Sequence, residues 1–368
     1  MTVMERYEAF CRAYNGVLAA NFERLTEGLS EAEFYLADFN FHLKNAVLNS
    51  LGAWYETARE DLGGRTPQAF LEELEDAEII PAFRYLAVHI DDELPDPFKL
   101  RLMRASETLA PQLRALAFPL PAEQGAAVTP SHTSKATAVP SGGTGAEAAL
   151  QAEEADSEAL IKRAALRILG EWRDAASLVA MEEGLLSWDS SGSYAAESLQ
   201  AFYTAYGPAA LPSLLRSATR LLKRETQAGA VGTRQPLGAT RFWLDYVTIA
   251  LAALGRTLRT GGAELLPASQ SAEVPASASD LLDAVYACLR QNFRARPLSS
   301  KIIPVICLGD YGDGRAVTML RRFVERDAAK MDRQLYYESV SAIQRLGGNA
   351  ADLPNPYWSD FHKAEQTS

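Results

Sequence analysis

Five times in the second half of the chain an apolar helical stripe closes on an apolar or aromatic residue followed by glycine. The pairs are Leu169-Gly170, Tyr206-Gly207, Leu254-Gly255, Leu308-Gly309 and Leu346-Gly347. The first and last intervals are about 37 and about 38 residues, which is the length one two-helix repeat requires. The two middle intervals are longer, and each contains an insertion without apolar periodicity, Thr226–Ala239 and Thr260–Ser279. A chain punctuated in this way has few choices. Each helical hairpin leaves an apolar face that only a neighbouring hairpin can cover, so successive units stack.

The chain has 368 residues, of which 48% are hydrophobic and 23% charged, enough apolar material for about two domains. No run of about 18 apolar residues is present, so no membrane span is expected. The start, Met1-Thr2-Val3-Met4-Glu5-Arg6, lacks the basic and apolar regions of a secretory signal. Cys11, Cys288 and Cys307 are odd in number and far apart, and read as buried free thiols in a reducing cytoplasm.

Ahead of the periodic region, residues 1–118 read as a helical N-terminal domain. Tyr7, Phe10, Cys11, Tyr14, Val17, Leu18 and Phe22 follow helical spacing. Ser30 with Glu33 forms a capping-box signal for a helix carrying Phe34 to Tyr55. Thr66-Pro67 and Asp96-Pro97 each read as a cap followed by a first-turn proline. Residues 119–156, with Pro140-Ser141-Gly142-Gly143 and no aromatic side chain, read as a flexible linker. Residues 157–368 make up the repeat domain.

The segment Cys307-Leu308-Gly309-Asp310-Tyr311-Gly312-Asp313-Gly314-Arg315-Ala316-Val317 resembles the HEAT-like repeat of the phycobilisome-lyase type. Ile168-Leu169-Gly170-Glu171-Trp172-Arg173-Asp174-Ala175-Ala176 and Tyr206-Gly207-Pro208-Ala209-Ala210-Leu211 are looser copies. The resemblance covers about residues 157–350. It implies a HEAT-like α-solenoid of about five helical hairpins there, and with the helical N-terminal domain read above the whole chain is expected to be all-α. The resemblance implies nothing about chemistry. In the motif itself, Gly309 and Gly312 are expected to take the positive φ that ends a helix. Asp313 is expected to accept from the free N–H groups of the next helix. Leu353-Pro354-Asn355-Pro356-Tyr357-Trp358 is expected to lie over the final helices.

Catalytic constellations are not evident. The four histidines, His42, His89, His132 and His362, share no i, i+4 spacing, which excludes the usual helical metal sites. His89 with Asp91, Asp92 and Glu93 reads as a solvated acidic loop. Asp310 to Gly314 lacks the alternating ligands of a calcium loop. No phosphate loop and no nucleophile elbow occur. The chain is therefore expected to be non-catalytic, with no cofactor and no metal.

One pattern is chemical in character. Arg216, Arg220 and Arg224 recur at i, i+4 and i+8 with Lys223 beside them. Second helices of later repeats add Arg290 and Arg294, then Arg321, Arg322 and Arg326. In HEAT-like stacks second helices usually line the concave face, so these side chains are candidate partner-binding residues for an acidic or phosphorylated protein segment. A solvated face with local salt bridges, such as Arg321 with Glu325, is the competing reading.

Charge distribution supplies a second candidate partner. Residues 1–118 carry 20 acids against 11 bases, whereas residues 157–368 carry 22 acids against 24 bases. The N-terminal domain is thus a candidate ligand of the basic groove, at high effective concentration through its tether. The alternative is a HEAT-like DNA-binding or DNA-glycosylase-type enzyme using the same groove, with Trp172, Trp188 or Trp243 lining a base pocket. The net charge of −11 argues against nucleic acid.

Overall fold

The structure is a computed structural model and describes residues 2–27, 46–47, 49–90, 93–118, 145–185, 193–231, 237–261 and 277–357. Every named element among them is helical, and the one β feature is an isolated bridge between Arg59 and Arg65. The described residues fall into two compact units, 1–172 and 173–368. No helix among them is long and apolar enough to cross a membrane.

In the first unit the α-helices are α1 (Val3–Thr26), α2 (Gly52–Glu56), α3 (Pro67–Glu72), α4 (Asp76–His89), α5 (Asp96–Arg104), α6 (Ser106–Ala117) and α7 (Gly145–Glu171). A capping box opens α1, with Thr2 and Glu5 each accepting from the other's backbone N–H. Thr66 caps α3 as expected, accepting from the Ala69 N–H at 3.1 Å, with Pro67 in the first turn. Asp96 differs from expectation. It is the first helical residue of α5, makes no capping bond, and instead sits as an acid near the positive end of the helix dipole, paired with Lys99 at 3.4 Å. Tyr7, Phe10, Cys11 and Tyr14 are buried, and Phe10 stacks on Phe70 and Tyr14 and meets Trp54 edge-on. The Ser30–Glu33 cap and most of the helix expected after it lie outside the described residues.

Helix α7 corrects the linker boundary. The expected tether covers residues 119–156, but the helix begins at Gly145. Its Ala, Glu, Leu and Gln content gives high intrinsic helix propensity without the apolar stripe that marks a packed helix in a sequence. Farther along, Ile161, Ala165, Leu166, Ile168 and Leu169 are buried, and α7 packs on α4 and α6. Leu169-Gly170 therefore belongs to the first unit, and the division falls after Trp172 instead of before residue 157.

The second unit contains α8 (Ala175–Gly184), α9 (Ser193–Tyr206), α10 (Leu211–Val231), α11 (Leu237–Gly261), α12 (Ala278–Ala295), α13 (Ile302–Tyr311), α14 (Ala316–Asp327) and α15 (Arg333–Arg345). Helices α10 and α11 extend into both ends of the insertion expected at 226–239, and α11 enters the one expected at 260–279. The odd-numbered helices pack in series, α9 on α11, α11 on α13 and α13 on α15. Among the even-numbered ones, α8 packs on α10 and α10 on α12.

The recurring glycines do two different jobs. Gly207, Gly312 and Gly347 have φ of 78°, 77° and 79° and end their helices. Gly255 and Gly309, in contrast, lie inside α11 and α13. A Cβ on Gly255 would sit 2.7 Å from the Tyr311 ring, and one on Gly309 would sit 2.9 Å from Ala342 Cβ. The expectation of a positive φ at Gly309 is thus corrected: its missing side chain lets neighbouring helices approach. Because Gly255 meets Tyr311 and Gly309 meets Ala342, the late turns of α11, α13 and α15 come together.

After α15 the chain folds back. Leu353 is buried, the Tyr357 hydroxyl donates to the Met331 carbonyl, and its ring lies 5.7 Å from that of Tyr336. Trp358 lies outside the described residues.

Candidate functional site

Helices α12 and α14 supply the walls of a cleft of about 480 Å³. Ring contacts fix their relative direction. Arg315 lies over the Tyr286 ring at 4.4 Å, and Phe293 meets Phe323 edge-on at 5.1 Å. Early residues face early residues, so the two helices run parallel. The apolar stripes of both helices point into the core and bury Phe293 and Phe323. The residues just off each stripe are left at the rim.

Those rim residues are cationic. Arg290 and Arg294 stand on α12, Arg322 and Arg326 on α14, and Arg315 just before α14, with Lys301 at the base. Two of the six are neutralised by the protein itself. Arg315 pairs with Asp313 at 2.6 Å and with Asp283 at 2.8 Å, and Arg326 pairs with Asp327 at 2.6 Å. Arg290, Arg294, Arg322 and Lys301 form no ion pair among the described residues. Aromatic faces take the place of counter-ions. Arg290 lies over Tyr286 at 5.8 Å, and the Lys301 ammonium over Phe293 at 4.3 Å. Lys301 also donates to the Phe293 carbonyl. Burial, and secondarily the Arg326 charge, push the Lys301 pKa down against the opposing pull of Asp327.

The other predicted cations are placed differently. Arg216 and Arg220 converge on Glu182 of α8, Arg216 at 2.8 Å and Arg220 at 3.0 Å, and Ser213 donates to the same carboxylate. Burial raises the Glu182 pKa, but the bonds from Arg216 and Ser213 outweigh it and hold it low. This corrects the expectation of a free stripe, because a carboxylate from the neighbouring helix occupies it. Lys223 and Arg224 are exposed on α10. Arg321 is turned toward the folded-back chain, pairing with Asp352 at 2.7 Å and donating to the Asn349 carbonyl. The nine predicted residues are therefore not one surface. Only Arg290, Arg294, Arg322 and Arg326 share the cleft, and Arg326 is paired with Asp327.

Lys301 carried no sequence signal, since it stands between a short 3₁₀ turn (Leu298–Ser300) and α13. Arg315, in contrast, lies seven residues before Arg322, within the motif already identified. Its partner Asp313 is buried and accepts from the Arg315 N–H at 3.0 Å, as the motif implies, and also from Arg259 at 2.7 Å. Burial would raise its pKa, but these bonds bring it to about 2.

Elsewhere in the second unit, Arg296 is fully buried between Asp245 at 2.6 Å and Glu225 at 3.4 Å, and this ties the start of α11 to the end of α12. Trp243 is buried in the core, Trp172 is half-buried, and Trp188 lies outside the described residues. In the first unit Glu93 pairs with Lys99 and Arg167, while Asp91, Asp92, His42 and His132, like His362 near the end of the chain, lie outside the described residues. No group of three metal-ligating side chains occurs among the described residues. No protein-family model, curated protein or solved structure matches this chain.

Proposed function

We propose that the second unit is a HEAT-like repeat array serving as a non-catalytic binding scaffold, and that the α12–α14 cleft grips an acidic segment of a partner protein. Two features support the architecture. Odd-numbered helices pack in series, with the late turns of α11, α13 and α15 together, and α12 and α14 face each other with the same polarity. One observation carries the function: Arg290, Arg294 and Arg322 line one cleft with no acidic partner among the described residues. Guanidinium groups left without carboxylates in an otherwise acidic chain make a local attractive field for anions. Their forked N–H donors match carboxylates two at a time.

The reading is tested with a labelled oligoglutamate peptide, followed by fluorescence anisotropy at low and high salt. Binding should weaken as salt rises and should be lost in the triple variant Arg290→Glu, Arg294→Glu, Arg322→Glu. Equal binding by wild type and triple variant overturns the proposal. Tighter binding of a duplex oligonucleotide than of the peptide moves the cleft to the nucleic-acid class.

A further inference from the structure

The cleft is built for more charge than a carboxylate brings. Four cations there, Arg290, Arg294, Arg322 and Lys301, have no ion pair among the described residues, and they approach from α12, from α14 and from the base. The protein's own carboxylates illustrate the difference. Asp352 takes Arg321 through two N–H bonds, at 3.0 and 2.7 Å, and Glu182 takes Arg216 and Arg220 from one side, along a single helix. Each leaves no cation on an opposing wall.

A phosphate monoester differs in both respects. It carries a charge of about −1.5 to −2 near neutral pH and offers three acceptor oxygens pointing in different directions. Cations on two facing walls, with an ammonium beneath them, suit such a tetrahedral acceptor. The base is also distinctive. Lys301 is only 9% exposed, and it rests on the Phe293 ring while donating one N–H to a carbonyl. That leaves further ammonium N–H donors for a ligand oxygen. A compact point charge below forked guanidinium groups is a division of labour suited to phosphate.

Resting on the acidic-segment reading above, we propose that the α12–α14 cleft is a phosphate-ester site, that its natural occupant is a phosphorylated serine or threonine within the acidic segment, and that Lys301 is the residue that distinguishes phosphate from carboxylate.

The experiment uses the full chain and two fluorescein-labelled peptides that differ at one position, phosphoserine in one and glutamate in the other, both flanked by glutamates. The phosphopeptide should bind at least about 10-fold more tightly. Its advantage should grow from pH 5 to pH 7.5, as the phosphate takes its second charge with a pKa of about 6. Lys301→Met, which keeps an apolar stem over Phe293, should retain glutamate-peptide binding and lose most of the preference. Arg294→Ala with Arg322→Ala, both exposed positions, should weaken both peptides, and circular dichroism should confirm unchanged helicity. Equal affinity of the two peptides for the wild type, or an undiminished preference in Lys301→Met, overturns the phosphate assignment while leaving the acidic-segment reading standing. Failure of either peptide to bind the wild type overturns both.

Discussion

Arg216 and Arg220 lie against a carboxylate, whereas Arg290 lies over an aromatic ring with no ion pair among the described residues. In the sequence the two groups look alike, as arginines spaced by turns along second helices. In the fold they have opposite tasks. Glu182 reaches α10 from α8 and converts its arginines into a clamp between two helices. In the α12–α14 cleft the nearest supports are Tyr286, Phe293 and Phe323, which stabilise a cation by their ring faces without cancelling its charge. Only the second arrangement leaves charge available to a ligand. Counting basic residues therefore says little about binding, and what lies beneath them decides.

The sharpest way to break this comparison is to remove the aromatic support. Phe323→Ala deletes a buried ring that packs edge-on against Phe293. It should cost about 4 kcal/mol of stability, seen as a large loss in the denaturant midpoint, and should weaken anion binding in parallel. A variant of near wild-type stability would mean that the ring is not a structural floor.

The next largest effect belongs to the other cluster. Glu182→Gln leaves Arg216, Arg220 and Ser213 without the carboxylate they share. Both arginines retain solvent contact, which moderates the loss to about 2 kcal/mol in chemical denaturation. Oligoglutamate binding at α12–α14 should be unchanged, because Glu182 is no part of that cleft. A loss of binding without a loss of stability would reverse the roles assigned to the two clusters.

Sequence reading found most of the arginines in both clusters, though neither Lys301 nor Arg315, and could not tell the clusters apart. The partner of Arg216 is 34 residues away, on another helix. No local spacing reports that distance, because it depends on how α8 and α10 pack. The glycines show the same limit. Leu254-Gly255 and Leu308-Gly309 were legible as repeat anchors, but whether glycine supplies a positive φ or a close approach depends on what it faces. Tyr311 and Ala342 supply that answer only once the helices are in place. Helix α7 failed for a different reason. Its N-terminal half is rich in Ala and Glu, so it has propensity without periodicity, and its packing partners α4 and α6 precede residues 119–144 in the chain.

Asp313 sharpens the comparison from within the cleft's own surroundings, since it neutralises Arg315 in the way Glu182 neutralises Arg216. Its folded pKa of about 2 lies below the ordinary value of 3.8. The unfolded chain therefore binds the proton more readily, and the stabilisation is fully present above about pH 4. It is lost as pH falls through 2. Asp313→Asn should lower stability at pH 7 by about 2 kcal/mol and should show a shallower decline between pH 4 and pH 2 than the wild type. Parallel acid-unfolding curves for the two proteins would remove Asp313 from this role.

The smallest expected effect separates the clusters most cleanly. Arg290→Ala, Arg294→Ala and Arg322→Ala remove side chains that are exposed and have no ion pair among the described residues. Each should change stability by no more than about 0.5 kcal/mol. Arg216→Ala leaves Glu182, whose side chain is only 10% exposed, with weaker compensation, and should cost about 1 to 2 kcal/mol. Binding should rank the other way, with the cleft variants losing affinity for oligoglutamate and Arg216→Ala keeping it. A residue retained for a ligand has little to do in the free fold, and a residue retained for the fold has little left for a ligand. Thermal unfolding and anisotropy on the same four variants test that inverse relation directly. If stability and affinity fall together across all four, the distinction between a clamp and a cleft does not hold.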